Sequence, residues 1–306
     1  MGPIIGIGEV LWDVYPDGRK VAGGAPFNFA FHCHQLGHPA AIVSRVGVDD
    51  LGRELREEVR RLGMSDEYLQ TDPTRPTGTV QVTLDAAGVP TYQIREQVAW
   101  DAIEPSDQLK WLSQAASAVC FGTLAQRSDT SCETIQGLLS DARFGPGGYS
   151  YRIFDVNLRQ SYYDKQRLTW SLYRSHTVKL NADELAILAS LFGWPGTTIH
   201  EWVQGLFRFS AAETRLVIVT LGGEGCIIYP ERGEPVNGPA ASAQVVDTVG
   251  AGDAFTAALV CQFLENRPLP DATKFAVWYA ARVCEHHGAT PRINRAEVER
   301  AAFGPP

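Results

Sequence analysis

"VVDTVGAGDAFTAALV", residues 245–260, sets two glycines around one alanine, places an aspartate directly after them and then turns apolar. Ala254, Phe255, Ala257, Ala258 and Leu259 predict a helix that begins at this point. The first N–H groups of a helix have no intrahelical partner and sit at the positive end of its dipole. Gly250, Ala251 and Gly252 expose backbone to a close approach, so residues 250–253 read as a cradle for a phosphate. A carboxylate beside a phosphate is repulsive unless it has a task, and taking the proton from a hydroxyl that attacks the phosphate is such a task. Standing alone, the stretch is more often a plain helix start with Asp253 as cap or first-turn residue.

Outward from it, short apolar runs alternate with helical segments. "IIGIG" (4–8), "AAIVSRVG" (40–47), "SAVCFG", "YRIFDV", "HTVKL" and "RLVIVTLG" read as buried strands, and "DDLGRELREEVRRLG" (49–63) as an amphipathic helix. The alternation predicts an α/β chain: a three-layer α/β/α, Rossmann-like arrangement with a mostly parallel central sheet. Two stretches break the rhythm. "TGTVQVTLDAAGVPTYQIR" (77–95) alternates with period two around "DAAG", and "DVYPDGRKVA" (13–22) turns at Pro16-Asp17-Gly18. These strands, within about 13–22 and 77–100, are expected to form a small β-sheet lid over one edge of a single 1–306 domain; a purely structural or dimer-forming β-extension is the alternative.

The 306 residues are 44% apolar and 20% charged, as in an ordinary globular chain. A net charge of −8 lacks the basic footprint of a nucleic-acid or membrane-surface binder, although local basic patches stay open. Six cysteines without a CxxC pair read as reduced thiols in the cytoplasm. "MGPIIGIGEVLWDV" has no basic n-region and is interrupted by Glu9 and Asp13, so it is not read as a signal peptide.

A second glycine-led stretch, "AGGAPFNFAFHCHQLGHPAAIVSRVG" (22–47), sets Gly23 and Gly24 just before Asn28 and a helix. Glycines admit a ligand against the backbone and an amide both donates and accepts, which suits sugar hydroxyls; a tight turn before a capped helix explains it as well. No GxxxxGK[ST] is present, since no lysine follows a glycine, and "GIGEVL" fails GxGxxG at Leu11. The "HCH" at 32–34 suggests metal, but residues i and i+2 do not share a helix face, so it reads as helix surface.

Together these stretches resemble the ribokinase-like, or phosphofructokinase B, family of carbohydrate kinases, and within it bacterial fructokinases. The two family motifs are "GGAPFNFAFHCHQLG" and "DTVGAGDAFTAAL"; "GEVLWD", "PTGTVQVTLD", "VAWDAI", "FGTLAQR", "DVNLR", "NADE" and "TLGGEG" follow in family order. The resemblance covers essentially the whole chain. It implies ATP-dependent transfer of the γ-phosphate to a primary hydroxyl, with fructose the first choice and 2-keto-3-deoxygluconate, ribose or a nucleoside as alternatives; a silent sugar-binding or scaffold relative is the rival class.

The resemblance also implies roles. Asp253 matches the base and the N–H groups of Gly250, Ala251, Gly252 and Asp253 the anion hole. Asp13, Gly24 and Asn28 match sugar contacts, Asn157 and Arg159 face the sugar–phosphate junction, and Gln93, Arg95 and Trp100 are lid contacts or packing residues. Asn181 and Glu184 organise Mg2+ and phosphates through water, and Thr220, Gly222, Gly223 and Gly225 approach the ATP. Asp247 and the carbonyls of Val249, His286 and Gly288 match a monovalent-cation (K+) site, where Arg292 falls at the place of a serine in some relatives and puts potassium dependence in question. A homodimer through the lid is the expected assembly. An acidic sugar needs a further cationic contact, for which Arg95 is the candidate.

Overall fold

In the structure, a computed structural model, residues 1–84, 90–141, 151–210 and 213–304 are described. The expected turn at 85–88 lies outside them. The first half of the chain runs β1 (Ile4–Ile7), β2 (Leu11–Val14), β3 (Lys20–Gly23), α1 (Ala25–Gln35), β4 (Ala40–Gly47), α2 (Asp50–Arg61), β5 (Leu69–Asp72), β6 (Gly78–Leu84), β7 (Pro90–Ile94), α3 (Asp107–Ala115), β8 (Ala118–Gly122) and α4 (Asp129–Asp141). The second half continues β9 (Tyr151–Asp155), α5 (Lys165–Tyr173), β10 (Thr177–Asn181), α6 (Ala182–Phe192), α7 (Ile199–Phe209), β11 (Leu216–Thr220), β12 (Gly225–Pro230), β13 (Val236–Pro239), α8 (Ala251–Leu264), α9 (Leu269–Val283) and α10 (Arg295–Phe303).

The large sheet has the order β13-β12-β11-β10-β9-β8-β1-β4-β5. Its pairings are parallel from β11 through β5, and only the β11–β12 and β12–β13 pairings are antiparallel. Successive strand residues point to opposite faces, and both faces are covered. On β1, Ile4 belongs to the apolar cluster that includes Phe255 and Ala258 of α8 and Phe275 of α9, while Ile5 and Ile7 belong to the one that includes Ile135 of α4 and Leu185 of α6. Strand β11 repeats the pattern, with Ile218 on the first face and Val217 and Val219 on the second. This is the expected three-layer arrangement.

The second sheet has the order β3-β2-β6-β7. Each expected hairpin is antiparallel, but β2 and β6 join them in parallel, Leu11 opposite Gly78. Within the 77–100 stretch the last strand ends at Ile94, close to the end of the expected hairpin, and Ala99–Ala102 wind into a 3₁₀ turn. Helix α2 starts one residue later than expected: the Asp49 carboxylate caps it by accepting the Gly52 N–H at 2.8 Å. No helix among the described residues is long and apolar enough to cross a membrane.

Candidate functional site

Glu9, Asn157, Arg159, Asn181 and Thr220 stand at or just beyond the carboxyl ends of β1, β9, β10 and β11, the end of an open α/β sheet where ligands bind. With the N-termini of α1 and α8 and one face of the small sheet they enclose a cleft of about 590 Å³. That volume suits a small molecule.

Asp253 lies in the first turn of α8. Gly250 precedes the helix in a left-handed conformation, φ 77°, and a Cβ there would come within 2.5 Å of the Ala289 side chain. Only glycine fits that turn. The Ala251 N–H turns back to the Thr248 carbonyl at 3.3 Å, so this one group of the expected cradle has a partner in the chain. The Asp253 Oδ2 accepts a hydrogen bond from Asn28 Nδ2 at 2.8 Å, which joins the two glycine-led motifs across 225 positions of sequence. Burial, then the nearby Asp155 carboxylate, push the Asp253 carboxyl up to about 6, while Lys179, Asn28 and Arg159 pull it down. A carboxyl poised there is ionised at neutral pH yet basic enough to take a proton.

Asp13 and Gly24 also line the cleft. Burial, then Asp247, push Asp13 up to about 6. Gly24 has φ 118°, and a Cβ on it would lie 2.3 Å from the Glu9 carbonyl oxygen, while its own carbonyl accepts the Asn28 N–H at 2.9 Å. Gly24→Ala is therefore expected to destabilise the protein by roughly 1–3 kcal/mol and to displace Asn28 from Asp253. A thermal melt paired with an activity assay checks both; an unchanged melt and rate would show that the turn relaxes freely.

Asn157 and Arg159 line the cleft, Asn157 with φ 40°. Asn181 and Glu184 form a capping box on α6: Asn181 Oδ1 accepts the Glu184 N–H at 2.8 Å and Glu184 Oε2 accepts the Asn181 N–H at 2.9 Å. Glu184 Oε1 accepts the Leu158 N–H at 2.9 Å, so this buried carboxylate ties the segment after β9 to α6. Burial raises its pKa despite those bonds.

Thr220 is in the cleft wall, whereas Gly222 and Gly223 are exposed in the 3₁₀ turn after β11. A Cβ on Gly225 would lie 2.1 Å from the Gly238 carbonyl oxygen, so this glycine permits the β12–β13 pairing.

Asp247 bridges two loops by accepting the Val249 N–H at 3.0 Å and the Gly288 N–H at 2.9 Å. That brings the Val249 and Gly288 segments together around one carboxylate. His286 is exposed, its N–H turned to the Val283 carbonyl; Arg292 is exposed and outside the cleft wall. Among the described residues no group of three His, Cys, Asp or Glu side chains could hold a metal.

Three expected contacts are elsewhere. On β7 the pleat turns Tyr92 and Ile94 to the cleft, so Gln93 and Arg95 line a groove on the opposite face of the small sheet. Trp100 is fully buried, and Arg127 stacks over its ring at 4.1 Å. It packs the small sheet, where a Cβ on Gly78 would strike it. The "HCH" reading as helix surface also fails at His32, which is fully buried and bonded to Tyr279 Oη at 3.0 Å and to the Ala289 carbonyl at 2.8 Å.

Two cleft residues escaped the sequence reading. Lys179 is buried in β10 directly opposite Asp155 of β9, its Nζ 3.1 Å from both carboxylate oxygens. The ammonium lies 3.1 Å from where a Cβ on Gly252 would be, beneath the first turn of α8. The signal was a lysine inside an apolar strand. Glu9, buried and with one oxygen unpartnered among the described residues, is the other; its signal was an acidic residue two positions past an apolar strand.

Comparison with known proteins agrees with this geometry. The model of the pfkB family of carbohydrate kinases matches residues 14–295. A fructokinase of Klebsiella pneumoniae is 30% identical over 281 residues, covering 88% of this chain and 87% of that protein. The crystal structure of an uncharacterized sugar kinase from Pyrococcus horikoshii in complex with ATP superposes with TM-score 0.80 at 27% identity, over 98% of this chain and 97% of that one. A fructokinase double mutant from Vibrio cholerae, in a fructose, ADP and potassium ion bound form, superposes with TM-score 0.81 at 24% identity, over 99% and 98%. The chain belongs to the pfkB family and is a phosphotransferase with a sugar hydroxyl as acceptor.

Proposed function

We propose that this carbohydrate kinase transfers the γ-phosphate of ATP to a primary hydroxyl of fructose, with Asp253 as general base. The observation that carries the reading is the Asp253 carboxylate, half-buried in the first turn of α8 and aimed by Asn28 at 2.8 Å. Asp253 takes the hydroxyl proton as the oxygen attacks, while the N–H groups at the start of α8 and the Lys179 ammonium beneath them steady the phosphoryl charge. Arg159 adds a donor at the junction of sugar and phosphate. Mg2+, supplied with ATP, would neutralise phosphate charge, with Asn181 and Glu184 reaching it through water. Asp247 with the Val249, His286 and Gly288 carbonyls would hold K+ beside the cradle, as the potassium-bound relative from Vibrio cholerae suggests.

Charge favours a neutral acceptor. The described cleft residues include two cations, Arg159 and Lys179, and Lys179 is neutralised by Asp155; Arg95, the candidate partner for an acidic sugar, faces the other way. A 2-keto-3-deoxy acid would add a carboxylate to a cleft that already holds Glu9, Asp13 and Asp253, while Arg159 is engaged at the phosphate. Within the same reading the whole chain is one kinase unit, the small sheet is a lid that excludes water on closing, and two copies pair through its outer face. A cytoplasmic location suits six unpaired cysteines.

ADP release measured across fructose, ribose, 2-keto-3-deoxygluconate and nucleosides tests the substrate. Fructose is expected to show the highest kcat/KM. A preference of about tenfold or more for another acceptor would reassign the substrate, and thermal stabilisation by fructose without ADP release would favour a silent sugar-binding relative.

A further inference from the structure

Glu9 lies two residues past β1, and its carboxyl is buried in the cleft wall, 3% exposed. Its Oε1 accepts the Ala25 N–H at 3.3 Å, which caps α1 where the N-cap residue Gly24 has no side chain to do so. Its other oxygen, Oε2, is buried and has no partner among the described residues. The carbonyl oxygen of Asn28, one turn along the same helix, is buried and unpartnered as well. The other end of that amide is engaged: Asn28 Nδ2 donates to Asp253. Two buried acceptors on residues of one cleft wall lack a donor, which is costly. A proton on Glu9 would turn that carboxyl into a donor, and the amide oxygen of Asn28, on the helix that the same carboxyl caps, is an acceptor left over.

We propose that Glu9 is a positioning residue that works as a neutral acid: it carries a proton on Oε2 and shares it with Asn28 Oδ1, keeping the amide turned with its N–H toward Asp253. The inference rests on Asp253 being the base. Two carboxyls set close in one cleft do not both ionise readily, and the environment separates them. Burial first, with the Asp253 charge adding to it, pushes Glu9 up to about 7, against the backbone N–H groups of Glu9 and Ala25 and the Arg159 guanidinium, which pull it down. The charged groups facing Glu9 are Asp253 from α8 and Arg159 from the segment after β9. Asp253 is therefore the acid that gives up its proton first, and Glu9 the one that holds it.

The test compares the wild type with Glu9→Gln and Glu9→Leu. A glutamine keeps an oxygen for the Ala25 N–H and offers an N–H to Asn28, whereas leucine offers neither. Leucine is expected to lower kcat by about tenfold, and glutamine to rescue most of that loss. The wild-type rate is expected to decline as Glu9 ionises above about 7, and the glutamine variant to lack that decline. A second readout needs no activity. The folded chain keeps the Glu9 proton to about 7 and the unfolded chain releases it near 4.5, so the wild type should lose Tm relative to Glu9→Gln as pH rises through that window. A Tm difference that is flat with pH, a glutamine variant as slow as the leucine one, or an alkaline decline that persists in Glu9→Gln would each overturn the proposal. Should Asp253 prove not to be the base, the Tm comparison would still report the Glu9 proton, so the two failures are distinguishable.

Discussion

Asp253→Asn is expected to lower kcat by about 10²–10⁴-fold while leaving the affinities for sugar and nucleotide within a few fold. The amide keeps an oxygen for the hydrogen bond from Asn28, so the cleft keeps its shape and loses only its proton acceptor. Coupled ADP-release kinetics with calorimetric titration of sugar separate turnover from binding; turnover within threefold of wild type would remove Asp253 as the base. The same group sets a pH limb. A base titrating at about 6 is protonated below that value, so the wild-type kcat/KM should fall toward tenfold per pH unit there, and the residual rate of the variant should not. Stability moves in the opposite sense to activity. The folded pKa lies above the ordinary 3.8, so the folded state loses stability as pH rises from 3.8 to about 6. Above that window Asp253→Asn should be at least as stable as the wild type.

Lys179→Met is the second large effect, and it strikes both stability and rate. The ammonium is buried, and its proximity to Asp155, Asp253 and Glu184 outweighs the effect of burial, holding its pKa above the ordinary lysine value. Removing it strands the Asp155 carboxylate in the sheet, which costs about 3–5 kcal/mol. A Tm loss of roughly 5–15 °C is expected for a chain of this length. The rate should fall by at least about tenfold, because a positive charge leaves the underside of the α8 N-terminus. Adding Asp155→Asn to Lys179→Met should restore part of the Tm, since the uncompensated charge is then gone, but not the rate. Additive Tm losses in the double variant would show that the pair is not coupled.

Local patterns made much of this molecule legible. Apolar runs such as Ile4–Ile7 and Leu216–Thr220 are strands because both their faces are covered, and a two-sided burial demands uninterrupted apolar residues. The period-two alternation after Thr77 marked β6 and β7 correctly, yet it left open which face looks into the cleft. Pairing with β2 decides that, and the pairing is long-range; hence Tyr92 and Ile94 face the cleft and Gln93 and Arg95 do not. Trp100 stayed open between lid contact and packing for a related reason. Its ring is apolar enough for a lid or a core, and only packing against Gly78 and Arg127 places it in the core.

By itself, the sequence determined the α/β alternation, the two hairpins, the glycine turn before α8 and the aspartate that follows it. These follow from residue type and short spacing, which act within one or two turns of chain. Tertiary structure alone decided that Asn28 reaches Asp253, that Lys179 is paired with Asp155 under the cradle and that the Glu9 carboxyl is buried beside the start of α1. Those properties arise from burial and charge between distant strands and helices, and the free energy of a buried charge depends on its neighbours in space.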